Sequence, residues 1–84
     1  MTKDVKVTIY SAPWCAFCHM AKEYLTGKKV KFTDINVEQD PDAARELVSK
    51  TGQTGIPVIQ IGDATIIGFD RPRIDSALEQ YNLT

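Results

Sequence analysis

The chain has 84 residues, 43% hydrophobic and 25% charged, enough for one modest core in a single globular domain spanning 1–84. Ten Lys and Arg face eleven Asp and Glu, a net charge of -1, which leaves no basic footprint for nucleic acid or an acidic membrane. The first residues lack the apolar stretch of a signal peptide, and no run approaches the ~18 apolar residues of a membrane span, so the expected compartment is the cytoplasm.

Val5 to Tyr10 alternates with period two and reads as a strand with Val5, Val7 and Ile9 on one face. Ser11 to Trp14 is a turn. A helix is expected from about Cys15 to Thr26, with Cys18, Ala21 and Leu25 on its inner face and Gly27 as its stop. Lys28 and Lys29 beyond it read as solvated charge. A second strand is expected over Val30–Val37. Asp40-Pro41-Asp42 then starts a helix with Ala44, Leu47, Val48 and Thr51 as the buried stripe, and Gly52 ends it. Pro57–Ile61 and Ala64–Ile67 read as strands joined by a tight turn at Gly62-Asp63. Asp70 or Arg71 opens a last helix with Ile74, Ala77, Leu78 and Tyr81 facing in. The order is β-α-β-α-β-β-α, an α/β chain with a mixed four-stranded sheet flanked by helices.

The only two cysteines stand in Cys15-Ala16-Phe17-Cys18-His19. A disulfide across so short a loop removes little unfolded-state entropy, so the pair needs a chemical reason. Three chemistries fit the letters: covalent haem attachment, a redox dithiol, or two ligands of a metal site. Haem lacks axial ligands. His19 is the sole histidine, and Met20 adjoins the motif and cannot reach the other haem face. A closed metal site needs more ligands than Cys15, Cys18 and His19, so it needs a second chain or an external thiol, as in a dimer sharing an iron–sulfur cluster. The redox dithiol fits the placement. Cys15 opens a helix, where unpaired N–H groups and the dipole favour a thiolate, and is expected to be the exposed nucleophile. Cys18, one turn inside on the same face, is expected to resolve the mixed disulfide. His19 reads as a solvent-facing helix residue.

The stretches "TIYSAPWCAFCHMAKEYL", "KTGQTGIPVIQIG" and "IIGFDRPRIDSAL" together resemble the glutaredoxin-like small redoxins of the thioredoxin-like superfamily, over nearly the whole chain. The resemblance implies sheet order 2-1-3-4 with strand 4 antiparallel, and a cis Ile56–Pro57 bond packed opposite Cys15. It implies thiol–disulfide oxidoreductase activity without metal or organic cofactor, glutathione being the alternative co-substrate. The implied substrate surface comprises Trp14, Ala16, Phe17, Gln53, Ile56, Pro57, Gly68, Phe69 and Asp70. Several positions depart from the glutaredoxin pattern: Ala12 replaces a lysine that holds a glutathione carboxylate, Thr54 replaces an arginine, and Arg71 replaces an acid. Phe69-Asp70-Arg71-Pro72 is similar to the stretch found in the hydrogen-donor redoxins of ribonucleotide reductase, which take electrons from thioredoxin reductase. The expected partners are therefore disulfide-bearing clients, ribonucleotide reductase among them, and thioredoxin reductase or glutathione as reductant, with the chain acting as a monomer.

Overall fold

The computed structural model describes residues 5–52 and 55–81. Its elements are β1 (Val7–Ser11), α1 (Ala16–Gly27), β2 (Thr33–Asn36), α2 (Pro41–Thr51), β3 (Val58–Ile61), β4 (Ala64–Ile67) and α3 (Arg71–Gln80). The sheet order is β2-β1-β3-β4. β1 and β2 run parallel, β3 runs antiparallel to β1, and β4 antiparallel to β3. The reversed strand is thus β3, and β4 is antiparallel only to its neighbour. That is the geometry of a helical crossover followed by a hairpin.

Both faces of the central strands are covered. Val7, Ile9, Ile59, Ile61 and Ile66 pack with Ala21 and Leu25 of α1 and Ile74, Ala77 and Leu78 of α3. Tyr10 and Val58 point the other way and meet Ala43 and Leu47 of α2. The period-two reading of β1 therefore holds but is incomplete, because all five residues of the strand are buried.

Five sequence expectations shift. β1 begins at Val7, and Lys6 contributes only a carbonyl, to the Gly62 N–H at 3.0 Å. β2 is confined to Thr33–Asn36. Val30 is instead buried against the end of α1, its N–H bonding Leu25 O at 3.0 Å. The inner stripe of α2 is Ala43 and Leu47, while Val48 is 39% exposed. Successive helical residues turn by ~100°, and the contact with Tyr10 and Val58 is too narrow to take in Val48 as well. Gly27 is the last residue of α1 rather than its left-handed stop, and the positive φ falls on Lys29, at 61°. Lys28 is not simply solvated: its ammonium lies 3.6 Å from Asp75 and 5.1 Å from the Tyr24 ring centroid.

The remaining punctuation follows the sequence. Asp40 caps α2 through Ala43 N–H, with Pro41 in the first turn, and Gly52 ends it at φ 74°. Asp70 caps α3, its carboxylate accepting from Arg73 N–H. In the β3–β4 turn Gly62 has φ 57°, and a Cβ there would lie 2.6 Å from Tyr81 Cζ. The Tyr81 hydroxyl accepts the Asp63 N–H at 3.1 Å, so the end of α3 closes over the hairpin.

Candidate functional site

The cysteine pair sits where the C-terminal end of β1 turns into α1. Cys15, expected to open the helix, is its N-cap, one residue ahead of the observed start at Ala16, and α1 carries no acidic residue in its first turn. The Cys15 N–H bonds Ala12 O at 3.1 Å, and the Cys18 N–H points at the Cys15 Sγ at 3.1 Å. The two sulfurs form a disulfide, with Cα atoms 5.2 Å apart. Burial differs from expectation: Cys15 is only 7% exposed, and Cys18 is fully buried at 0%. The order of accessibility is as expected, but the opening over Cys15 is narrow.

Its surroundings are polar on one side and apolar on the other. Ser11, nearly fully buried at the end of β1, donates its hydroxyl to Asp34 at 2.6 Å, and Lys22 of α1 reaches the same carboxylate at 2.9 Å. Burial pushes the Asp34 carboxyl up. The Ser11 and Lys22 hydrogen bonds and the nearby Lys22 and His19 charges outweigh that and hold it below its ordinary value. His19 is exposed but not idle: its Nε2 lies 2.8 Å from Pro13 O, tying the turn before Cys15 to the first turn of α1. Ala12, where the resembling family carries a lysine, is 1% exposed.

On the apolar side, Trp14 is 68% and Phe17 61% exposed, with Met20 and Ile67 also open to solvent. The Trp14 Nε1–H donates to the Glu38 carboxylate in the β2–α2 connection. Met20, Ile67, Phe69 and Arg71 line an open groove of about 710 Å³ with Gly68, Asp70 and Pro72. Phe69 is steadied by Tyr24, ring centroids 5.7 Å apart in an edge-on contact. The Tyr24 hydroxyl donates to Asp75 at 2.6 Å. That bond, with burial and the Asp75 charge, raises the phenol above its ordinary value against the opposing Lys28 charge.

Ile56–Pro57 is cis, and Pro57 is buried just ahead of β3. The register pairs Tyr10 with Val58, so Pro57 lies at the same end of the sheet as the turn that leads to Cys15. The Gly68 N–H bonds Pro57 O at 2.8 Å, joining the two loops. Of the sequence-derived set, Trp14, Ala16 and Phe17 thus cluster at the start of α1, while Gly68 meets Pro57, with Ile56 before the one and Phe69 and Asp70 after the other in the chain. Gln53 and Thr54 lie outside the described residues. Asp70 spends its carboxylate on the α3 cap and a 3.3 Å contact with Arg73. Sequence reasoning missed Ser11, Lys22, Asp34 and Glu38. A polar residue closing an apolar strand, as at Ser11, was the available signal. Among the described residues no group of three or more His, Cys, Asp or Glu is arranged to hold a metal ion, and no helix is long and apolar enough to cross a membrane.

A cysteine pair that opens the first helix beside a β2-β1-β3-β4 sheet is the arrangement of thioredoxin-like redox proteins. The family model described as Glutaredoxin matches residues 7–66. A glutaredoxin-like 8.6 kDa protein of the rubredoxin operon of Clostridium pasteurianum is 40% identical over 74 residues, covering 88% of this chain and 99% of that one. The glutaredoxin-like protein NrdH of Lactococcus lactis is 32% identical over 63 residues, 75% of this chain and 86% of that one. Among solved structures, the NrdH-redoxin of Escherichia coli, a glutaredoxin-like protein with a thioredoxin-like activity profile, superposes with a TM-score of 0.79 at 32% identity. That match covers 84% of this chain and 92% of the other. The chain belongs to the glutaredoxin family. It is a glutaredoxin-like redox protein, and its Cys15–Cys18 pair serves the thiol–disulfide chemistry of that family.

Proposed function

We propose that the protein is a dithiol–disulfide oxidoreductase that reduces protein disulfides, with Cys15 attacking and Cys18 resolving. The observation that carries this is the N-cap position of Cys15, with a backbone N–H aimed at its sulfur and its partner thiol fully buried. The Cys15 thiolate attacks the client disulfide and releases one client thiolate. Cys18 then attacks the Cys15 sulfur, releasing the second and leaving the Cys15–Cys18 disulfide. A chain that cycles through a dithiol belongs where thiols are kept reduced, as in the cytoplasm.

The exposed Trp14 and Phe17 favour a broad protein client over a tripeptide, and the kinship with NrdH proteins extends the proposal to ribonucleotide reductase as one client. The same kinship, with an apolar residue at Ala12 and a cation at Arg71, favours thioredoxin reductase over glutathione as the electron source.

The roles are tested by trapping. Cys18→Ser should accumulate a client joined to Cys15, and Cys15→Ser should neither reduce nor trap. If only Cys15→Ser traps client, the roles are reversed. Absorbance above 400 nm in anaerobically purified protein would replace the redox reading with a cluster-bridged dimer.

A further inference from the structure

Charge beside the dithiol is not evenly compensated. Asp34 is paired with Lys22 at 2.9 Å, and Asp70 with Arg73 at 3.3 Å. Glu38 differs. Among the described residues its carboxylate has one side-chain partner, the Trp14 Nε1–H, and that donor is neutral. Its own N–H is anchored by Asn36 Oδ1 at 2.9 Å, which fixes the turn that presents it. A full negative charge is therefore held against the exposed indole that directly precedes Cys15. Adjacent Cα atoms are ~3.8 Å apart, and an extended client advances ~3.3 Å per residue. Any client that lays a few residues across the disulfide comes within reach of that charge.

We propose that Glu38, displayed through Trp14, is a specificity-determining residue that favours disulfides flanked by positive charge and disfavours those flanked by carboxylates. It rests on Cys15 being the attacking thiol. The reaction is unchanged: two electrons pass from the dithiol to the substrate disulfide, and two substrate thiolates leave and take up the two thiol protons. Glu38 acts only on the approach and on the mixed disulfide, where a substrate charge sits near its carboxylate. It also supplies a second reason, independent of Ala12 and Arg71, for glutathione disulfide, which carries carboxylates, to be a poor partner.

The test uses pre-reduced full chain and three small disulfides: cystamine (an ammonium on each half), 3,3′-dithiodipropionate (a carboxylate on each half), and neutral bis(2-hydroxyethyl) disulfide. The readout is the ratio of the second-order oxidation rates with the cationic and anionic probes, compared between wild type, Glu38→Gln and Glu38→Lys, so that intrinsic probe reactivity cancels. Glu38→Gln keeps an oxygen acceptor for the Trp14 N–H and removes only the charge. For charges ~9 Å apart at ~0.01 M salt, the ratio should fall about three- to tenfold in Glu38→Gln, taking an effective dielectric between ~80 and ~40. It should fall further in Glu38→Lys and flatten at ~1 M salt, where screening is short-ranged. A ratio that is the same in all three proteins, while the neutral probe still oxidises the dithiol, overturns the assignment of Glu38 alone. If the neutral probe fails to oxidise even the wild type, the oxidoreductase function falls, and the charge selection with it.

Discussion

The Cys18→Ser protein isolates the sulfur on which the mechanism depends. In it Cys15 is the sole thiol, still at the N-cap of α1, and residue 18 still offers its backbone N–H to the Sγ, which lies 3.1 Å away in the wild-type disulfide. A charge-assisted hydrogen bond contributes about 1.5–3 kcal/mol. A helix N-terminus adds about 0.3–1 kcal/mol for an anion in its first turn. Near-complete burial of Cys15 works against the thiolate by desolvation. The net therefore belongs at the lower end, about 2 kcal/mol, or roughly 30-fold in the ratio of thiolate to thiol at ~1.4 kcal/mol per decade. A free thiol is only ~3% ionised at pH 7. Cys15 should carry a clearly larger thiolate fraction there than a free thiol, from the hydrogen-bond and helix-terminus contributions just given. Iodoacetamide alkylation followed from pH 5 to 10, with thiolate absorbance at 240 nm alongside, measures that fraction. An alkylation curve that overlays that of N-acetylcysteine across the whole range would refute the electrostatic account of the nucleophile.

Three further outcomes are expected. Supplied with NADPH, the oxidised protein should be reduced faster by thioredoxin reductase than by glutathione with its reductase, and Arg71→Asp should narrow the gap; efficient glutathione turnover with no response to thioredoxin reductase contradicts this. Ala12→Lys is the weaker probe, because Ala12 is 1% exposed and a lysine there must displace whatever covers it. Gly62→Ala should cost about 2–3 kcal/mol in urea unfolding, from a left-handed alanine and the displaced Tyr81–Asp63 hydrogen bond, since the new Cβ would meet the Tyr81 ring; a loss under ~0.5 kcal/mol, the ordinary range of surface substitutions, means the ring moves aside freely. Because the Asp34 carboxyl is lowered in the folded state, its stabilisation is present above its unfolded value and is lost as pH falls through the folded one. Ser11→Ala should make that acid loss shallower, by less than ~1 kcal/mol because the Asp34 side chain is 41% exposed; identical urea midpoints for the two proteins at both pH 3 and pH 6, once offset by their difference at neutral pH, would show Ser11 to be irrelevant to it.

Local chemistry made much of the fold legible. Period-two apolarity at Val7 and Ile9, Asp–Pro openings at Asp40-Pro41, and glycines at 52 and 62 each act within a few residues, so element order could be taken from the chain. The cysteine spacing and its position after a strand were equally local, and they set Cys15 at the helix start, where it is the observed N-cap. What the chain alone misplaced depends on what packs against what. Val48 and Ala43 are equally plausible core residues until the narrow contact of α2 with Tyr10 and Val58 selects one. Cys15 belongs at a helix start by its spacing, yet only the assembled loops around it make it nearly buried. Ser11, Lys22 and Asp34 come from three elements, as Trp14 and Glu38 come from two loops 24 positions apart, and no periodicity links such residues in advance. Propensity, capping and helix-start electrostatics are short-range, so the elements and the cysteine pair are legible along the chain. The tertiary structure alone decided how accessible that pair is and which charge stands beside it, because burial and Coulomb interactions depend on distance in space rather than along the chain.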